Sequence, residues 1–132
     1  MDLTHDAILV RTLENKIVFW NQAAQKLYGS SKDEVLAKAP HQLLRTVFPP
    51  PLAEIEAEVL KTGYWEGEVT HHQRDGTPLI VSSRWAMSTE HDKPPAILES
   101  HRNITHRKHE EQKFRNLLES APDASLSSIN SP

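Results

Sequence analysis

The residue that most invites a chemical reading is Glu99, in the stretch Ala96-Ile97-Leu98-Glu99-Ser100-His101. Side chains alternate along a strand, so Ile97, Glu99 and His101 share one face. The same count puts Val81, Ser83 and Trp85 on one face of a neighbouring stretch, and a one-residue bulge would reverse either assignment. The eight histidines are the other resource. His71 and His72 are adjacent on a strand and point to opposite faces, so they cannot chelate as a local pair. His106 and His109 share a helical face but have no further ligands nearby, and they read as a solvated helix start. There is no phosphate-binding Gly-rich loop, no Gly-x-Ser-x-Gly elbow and no metalloprotease motif. Asp75 falls in a turn and Asp33 near a helix cap, which are structural places. The chain therefore reads as a non-enzyme.

At 132 residues the chain holds one domain and some tail. Fifteen basic against eighteen acidic residues give a net charge of −3. That balance, with no long basic stripe, speaks against a nucleic-acid partner. Cysteine is absent, which excludes disulfides, thiolate metal sites, cysteine nucleophiles and photochemistry through a cysteine–flavin bond. No apolar run approaches the ~20 residues that span a bilayer, and the first residues lack the regions of a signal peptide. A cytoplasmic domain without membrane contact of its own is expected.

These residues must be positioned by a small set of elements. Ala7-Ile8-Leu9-Val10 and Ile17-Val18-Phe19-Trp20, across a short polar turn, predict a hairpin. Asn21 stands where a helix N-cap belongs, and Gly29 closes that helix. Ser31 with Glu34 makes a capping box for a second short helix. His41 to Val47 predicts a further short turn of helix. Pro49-Pro50-Pro51 breaks the chain before a helix over 52–61, with Leu52, Ile55, Val59 and Leu60 on one face and Gly63 at its end. Strands follow at 65–73, 79–87 and 96–102. The first carries Trp65, Gly67, Val69 and His71 on one side, and Arg74-Asp75-Gly76-Thr77 is its hairpin turn. Strands, then short helices, then strands predict an α+β fold: an antiparallel sheet with helices on one face.

At this point the ordered pieces resemble a PAS domain, a sensory module of bacterial signalling proteins, over roughly residues 4–107. DAILVRTLENKIVFWNQAAQKLYG resembles the opening hairpin and first helix. GYWEGEVTHHQRDGTP resembles the long third strand with its Trp-x-Gly and Arg-Asp-Gly-Thr patterns. AILESHRNITHRK resembles the last strand and the Asp-Ile-Thr exit motif, with Asn103 in place of the acidic residue. Asn103 still hydrogen-bonds but carries no charge, so a looser latch is expected at this junction. The middle stretch resembles versions found in bacterial sensor histidine kinases. The resemblance implies a five-stranded antiparallel sheet, with the domain at 1–104.

The resemblance further implies a ligand pocket between the inner face of the sheet and the middle helices. It turns Val81, Ser83 and Trp85, and Ile97, Glu99 and His101, toward that pocket. A carboxylate in an apolar pocket is costly unless paired, and Ser83, Trp85 and Arg45 are the candidate partners of Glu99. Glu99, Ser83, Trp85, Arg45, Val81, Ile97 and Trp65 form the expected small-molecule site. The competing reading is an internal ion pair that only fixes structure. Trp65 and Trp85 could stack on a flavin or haem, or simply fill the core with ~150–250 Å² of burial each. His41 and His101 are the candidate axial ligands for haem. No cofactor is the primary expectation and no metal site is assigned; a flavin- or haem-binding redox or gas sensor is one alternative.

Asn103, Ile104 and Thr105 carry the signal out of the domain on this reading. From Thr105, which can cap it, a helix is predicted over 105–121, with Phe114, Leu117, Leu118 and Ala121 as a short apolar stripe. Lys108 and Glu111 interrupt a heptad, so a long coiled coil is not supported. Residues 113–124 resemble the lead-in of another PAS domain, which would need ~100 more residues; the chain reads as a piece of a longer multi-domain protein, with 122–132 a disordered tail. The expected function is a signal-sensing input module, with a homodimer and the adjacent signalling domains as partners. The rival is a ligandless dimerisation and interaction module, which a tightly filled interior would favour.

Overall fold

A computed structural model describes residues 6–90 and 92–120. The expected tail at 122–132 and Ala121 of the apolar stripe lie outside the described residues. Five strands form one sheet: β1 (Ala7–Thr12), β2 (Ile17–Trp20), β3 (Tyr64–His72), β4 (Pro78–Ser88) and β5 (Ala96–Asn103). Their order is β2-β1-β5-β4-β3, and every adjacent pair is antiparallel. The first and last strands of the chain's sheet segments thus lie side by side at its centre. Between the strand groups run α1 (Gln22–Tyr28), α2 (Lys32–Val35), α3 (Pro40–Leu43) and α4 (Leu52–Thr62), and α5 (Thr105–Ser120) follows β5.

Local chemistry accounts for the boundaries. Asn21 Oδ1 accepts from the Ala24 amide and from the Ile8 amide, so one side chain caps α1 and ties it to β1. Ser31 and Glu34 make the reciprocal capping box of α2. Gly29 and Gly63 end α1 and α4 in left-handed conformation at φ 84° and 82°. In the β3–β4 turn Asp75 Oδ1 accepts from the Thr77 amide.

One face of the sheet is buried under the helices. Tyr28, Val35, Ile55 and Val59 from above meet Leu9, Trp20, Val69, Val81 and Trp85 from below in a single core. Leu60 departs from expectation: it is 57% exposed, while Ile55 and Val59 of α4 are buried and Leu52 packs partly buried against the core. Two cross-strand rows run the width of the sheet. The inner row is Trp20, Leu9, Glu99, Trp85 and Trp65. The outer row, one residue along, is Phe19, Val10, Leu98, Ala86 and Tyr64.

Candidate functional site

Glu99 lies at the middle of the inner row and is 1% exposed. Its carboxylate accepts three hydrogen bonds. Arg11 Nε donates to Oε2 at 2.5 Å, His41 Nε2 to the same oxygen at 2.9 Å, and His101 Nε2 to Oε1 at 3.0 Å. Burial pushes the carboxyl toward protonation, but the hydrogen bonds from His101 and His41, with their charge, outweigh it and hold Glu99 well below the usual carboxylate range. Both histidines use Nε2 as the donor, which leaves Nδ1 of each buried without a partner among the described residues; Arg11 Nη2 is in the same state.

The network continues away from β5. His101 packs edge-on against His71, ring centroids 4.6 Å apart. Nδ1 of His71 stands 2.7 Å from the Tyr28 hydroxyl. Burial, and then the charge of His101, hold His71 well below its ordinary pKa, so the ring is neutral near pH 7. Burial, and then the Glu99 charge, push the Tyr28 phenol well up. The protonated phenol and the neutral imidazole thus share one hydrogen bond, whose donor is set by the tautomer of His71. Four elements, β1, α3, β5 and β3, thus meet α1 through one polar cluster inside an otherwise apolar core.

Trp85 fills the space beside this cluster. Its ring stacks on His41 at 4.9 Å and 1° between planes. The Arg11 guanidinium lies 4.7 Å from its centroid, and Trp65 and Phe48 meet it edge-on at 5.4 and 6.0 Å. Its indole nitrogen donates to Ser83 Oγ.

Val81, Ser83, Trp85, Ile97, Trp65 and Glu99 therefore all lie on the buried face. Arg45 does not join them. It is exposed and sits at φ 46° beyond α3, and its carbonyl accepts from His72 Nδ1. None of the three anticipated partners holds Glu99: Ser83 and Trp85 bond each other, and the guanidinium is that of Arg11. Arg11 was legible, since Ala7, Leu9 and Arg11 alternate onto one face of β1 and an arginine beside a buried leucine demands a counter-ion. His41 had drawn notice as a haem ligand, but its Nε2 is committed to Glu99. The residues present do not fit a flavin or haem here, because His41, Arg11, Trp65 and Phe48 already surround the Trp85 ring. No group of three His, Asp or Glu among the described residues could hold a metal ion, and no helix among them is long and apolar enough to cross a membrane.

At the exit, Asn103 Oδ1 accepts from both the amide and the hydroxyl of Thr105, at 3.1 and 2.6 Å. Thr105 Oγ1 in turn accepts from the Ile80 amide of β4 at 2.9 Å. The Thr105 hydroxyl was expected to cap α5; instead it ties the helix start to the sheet, while buried Ile104 donates its amide to the Ile80 carbonyl. Lys108 pairs with Glu68 of β3 at 3.0 Å. An amide at position 103 thus serves as acceptor without a charge.

A family model described as PAS domain matches residues 5–106. Among solved structures, a PAS domain from Colwellia psychrerythraea is 26% identical, with a TM-score of 0.66 over 77% of this chain and 88% of that one. The PAS domain of nitrogen regulation protein NR(II) from Vibrio parahaemolyticus is 22% identical, with a TM-score of 0.64 over 75% and 89%. The LOV domain of a blue-light activated histidine kinase from Erythrobacter litoralis is 11% identical, with a TM-score of 0.63 over 75% and 95%. No curated protein matches the chain.

Proposed function

Because this chain belongs to the PAS domain family over residues 5–106, we propose that it is a signal-relay module of a larger bacterial signalling protein, with a cytoplasmic sensor histidine kinase as the parent. Its interior is closed by its own side chains, and it transmits through β5 into α5 as a homodimer without catalysing a reaction. One observation carries this reading: β5 holds Glu99 at its middle, where the polar cluster converges, and runs directly into Asn103 and Thr105, which anchor α5. A change in the cluster that favours one arrangement of β5 shifts α5 by that difference in free energy. Histidine-kinase parentage is supported by the likeness to the Vibrio and Erythrobacter domains, which share the fold. The homodimer is supported by the outer row, where Phe19, Leu98 and Tyr64 are 43%, 40% and 44% exposed.

The test has two parts. Native mass spectrometry and the visible spectrum of the purified protein should show the polypeptide alone and no chromophore. Glu99→Gln should move the amide resonances of residues 104–108. A stoichiometric bound molecule would overturn the closed interior, and unmoved α5 resonances would overturn the relay. The second reading, a small polar ligand in the interior, draws on the three unpartnered nitrogens of Arg11, His41 and His101; a released metabolite whose loss unfolds the cluster would establish it.

A further inference from the structure

A cleft of about 370 Å³ opens away from the Glu99 cluster, where α1 to α3 meet the end of β3. Tyr28, Val35 and Leu44 lie buried beneath it, and half-buried Leu43 is the apolar side chain at its wall. Its rim carries Lys38, Arg45 and Arg74 against one carboxylate, Glu34. Both oxygens of Glu34 are already engaged, Oε1 by the Ser31 amide and Oε2 by Arg74 Nη1. Lys38 and Arg45 have no carboxylate partner among the described residues. A concave positive rim therefore stands on a chain whose net charge is −3.

The backbone bears on the same point. Arg45 adopts left-handed φ of 46°, a conformation that favours glycine, yet an arginine stands there. Its carbonyl is held by His72 Nδ1, and its guanidinium reaches toward the β3–β4 turn, 3.8 Å from where a Cβ on Gly76 would sit. The fold accepts a disfavoured backbone and presents a cation at the mouth of the cleft.

We propose that this cleft binds a small organic dianion, a dicarboxylate or phosphate ester, with Lys38 and Arg45 on its charged groups and its carbon body over half-buried Leu43. The volume falls within that of small-molecule sites. An arginine fork suits carboxylate and phosphate alike. The cleft shares Tyr28 with the Glu99 cluster, but its cations, Lys38 and Arg45, lie outside that cluster, and the proposal does not depend on the relay reading.

The test is a titration of the 132-residue protein with succinate, glycerol 3-phosphate and uncharged succinamide, at constant ionic strength, followed by amide resonances. At least one dianion should saturate with a dissociation constant below about 1 mM, with shifts concentrated at residues 28–38, 43–45 and 72–74. Succinamide should not bind. Lys38→Gln with Arg45→Gln should weaken binding by more than about tenfold, while Lys61→Gln, on α4, should leave it unchanged. Arg45→Gly relieves the left-handed backbone, so it should raise stability and still lose binding. Absence of saturation by either dianion, equal binding of succinamide, shifts elsewhere, or full affinity in the Arg45→Gly protein would each overturn the proposal. Preference for succinate or for the phosphate ester identifies which dianion the rim selects.

Discussion

Arg11 and Glu99, 88 residues apart in the chain, are joined by a 2.5 Å hydrogen bond between two side chains that are each 1% exposed. They sit diagonally on the adjacent central strands, because Arg11 pairs with Ile97 and Glu99 with Leu9. The bond therefore clamps the N-terminal hairpin to the strand that leads out of the domain. His41 and His101 add two further donors, so the carboxylate accepts from three side chains.

Breaking that pair from one side should be expensive. Arg11→Met or Glu99→Leu alone should cost about 3–5 kcal/mol, since each leaves a buried charge unpaired. The double variant should recover a good part of this. Urea unfolding of the four proteins measures the coupling. Single costs below about 1 kcal/mol would mean that the pair is solvated in solution. Costs of that size would make Glu99 a determinant of the fold, whereas a carboxylate that serves only a ligand would change affinity alone.

Stability should fall as pH drops below about 6.5. His71 has a depressed folded pKa, from burial and from His101, so the unfolded chain binds its proton first. Protons then favour unfolding, with a slope of up to about 1.4 kcal/mol per pH unit for this one site. The groups facing it are Tyr28, His101, Glu99, His41 and His72. Glu99 acts lower down: its depressed folded pKa contributes stability above about pH 4.3 that is lost as pH falls through the folded value. Thermal melts from pH 8 to 2 should show both phases, and His71→Gln should flatten the upper one. An unchanged upper phase in that variant would assign it to other groups.

The outer row predicts self-association. Leu98→Lys places a charge at the centre of Phe19, Val10, Leu98, Ala86 and Tyr64. Light scattering behind size exclusion should show wild-type mass rising toward the dimer with concentration and the variant staying monomeric. Its unfolding free energy should change by less than about 0.5 kcal/mol at low concentration, as for other surface positions. A wild type that stays monomeric would remove the sheet face as the interface.

The exit junction should loosen selectively. Asn103→Ala removes the acceptor of both Thr105 bonds and should cost about 0.5–2 kcal/mol, in the range of a lost helix cap. Hydrogen exchange should quicken in the first turn of α5 and stay constant in β4 and β5. Asn103→Asp keeps the acceptor and should restore protection. Equal exchange in the alanine variant would show that Ile104 and the Lys108–Glu68 pair suffice.

Much of this architecture was legible in the sequence because it rests on local rules. Asn21, Gly29, the Ser31–Glu34 box and Gly63 mark helix ends through bonds or φ values that involve only nearby residues. Period-2 alternation grouped the residues of β4 and β5 by face, the family resemblance turned those faces inward, and Ser83, Trp85 and Glu99 are buried. Leu60 was misassigned because helical spacing shows a stripe but not how wide a stripe the sheet covers.

The partners of Glu99 could be decided only by the tertiary fold. Its identity and its place on an apolar face belong to the sequence, and so does the need for a counter-charge. Three donors were required, and they come from β1, α3 and β5. The sequence reading named Arg45; Arg11 takes that place because the sheet order sets β1 beside β5, while Arg45 lies exposed beyond α3. The physical reason is range: alternation and capping act over two to four residues, whereas neutralising a buried carboxylate depends on which strands the whole chain brings together.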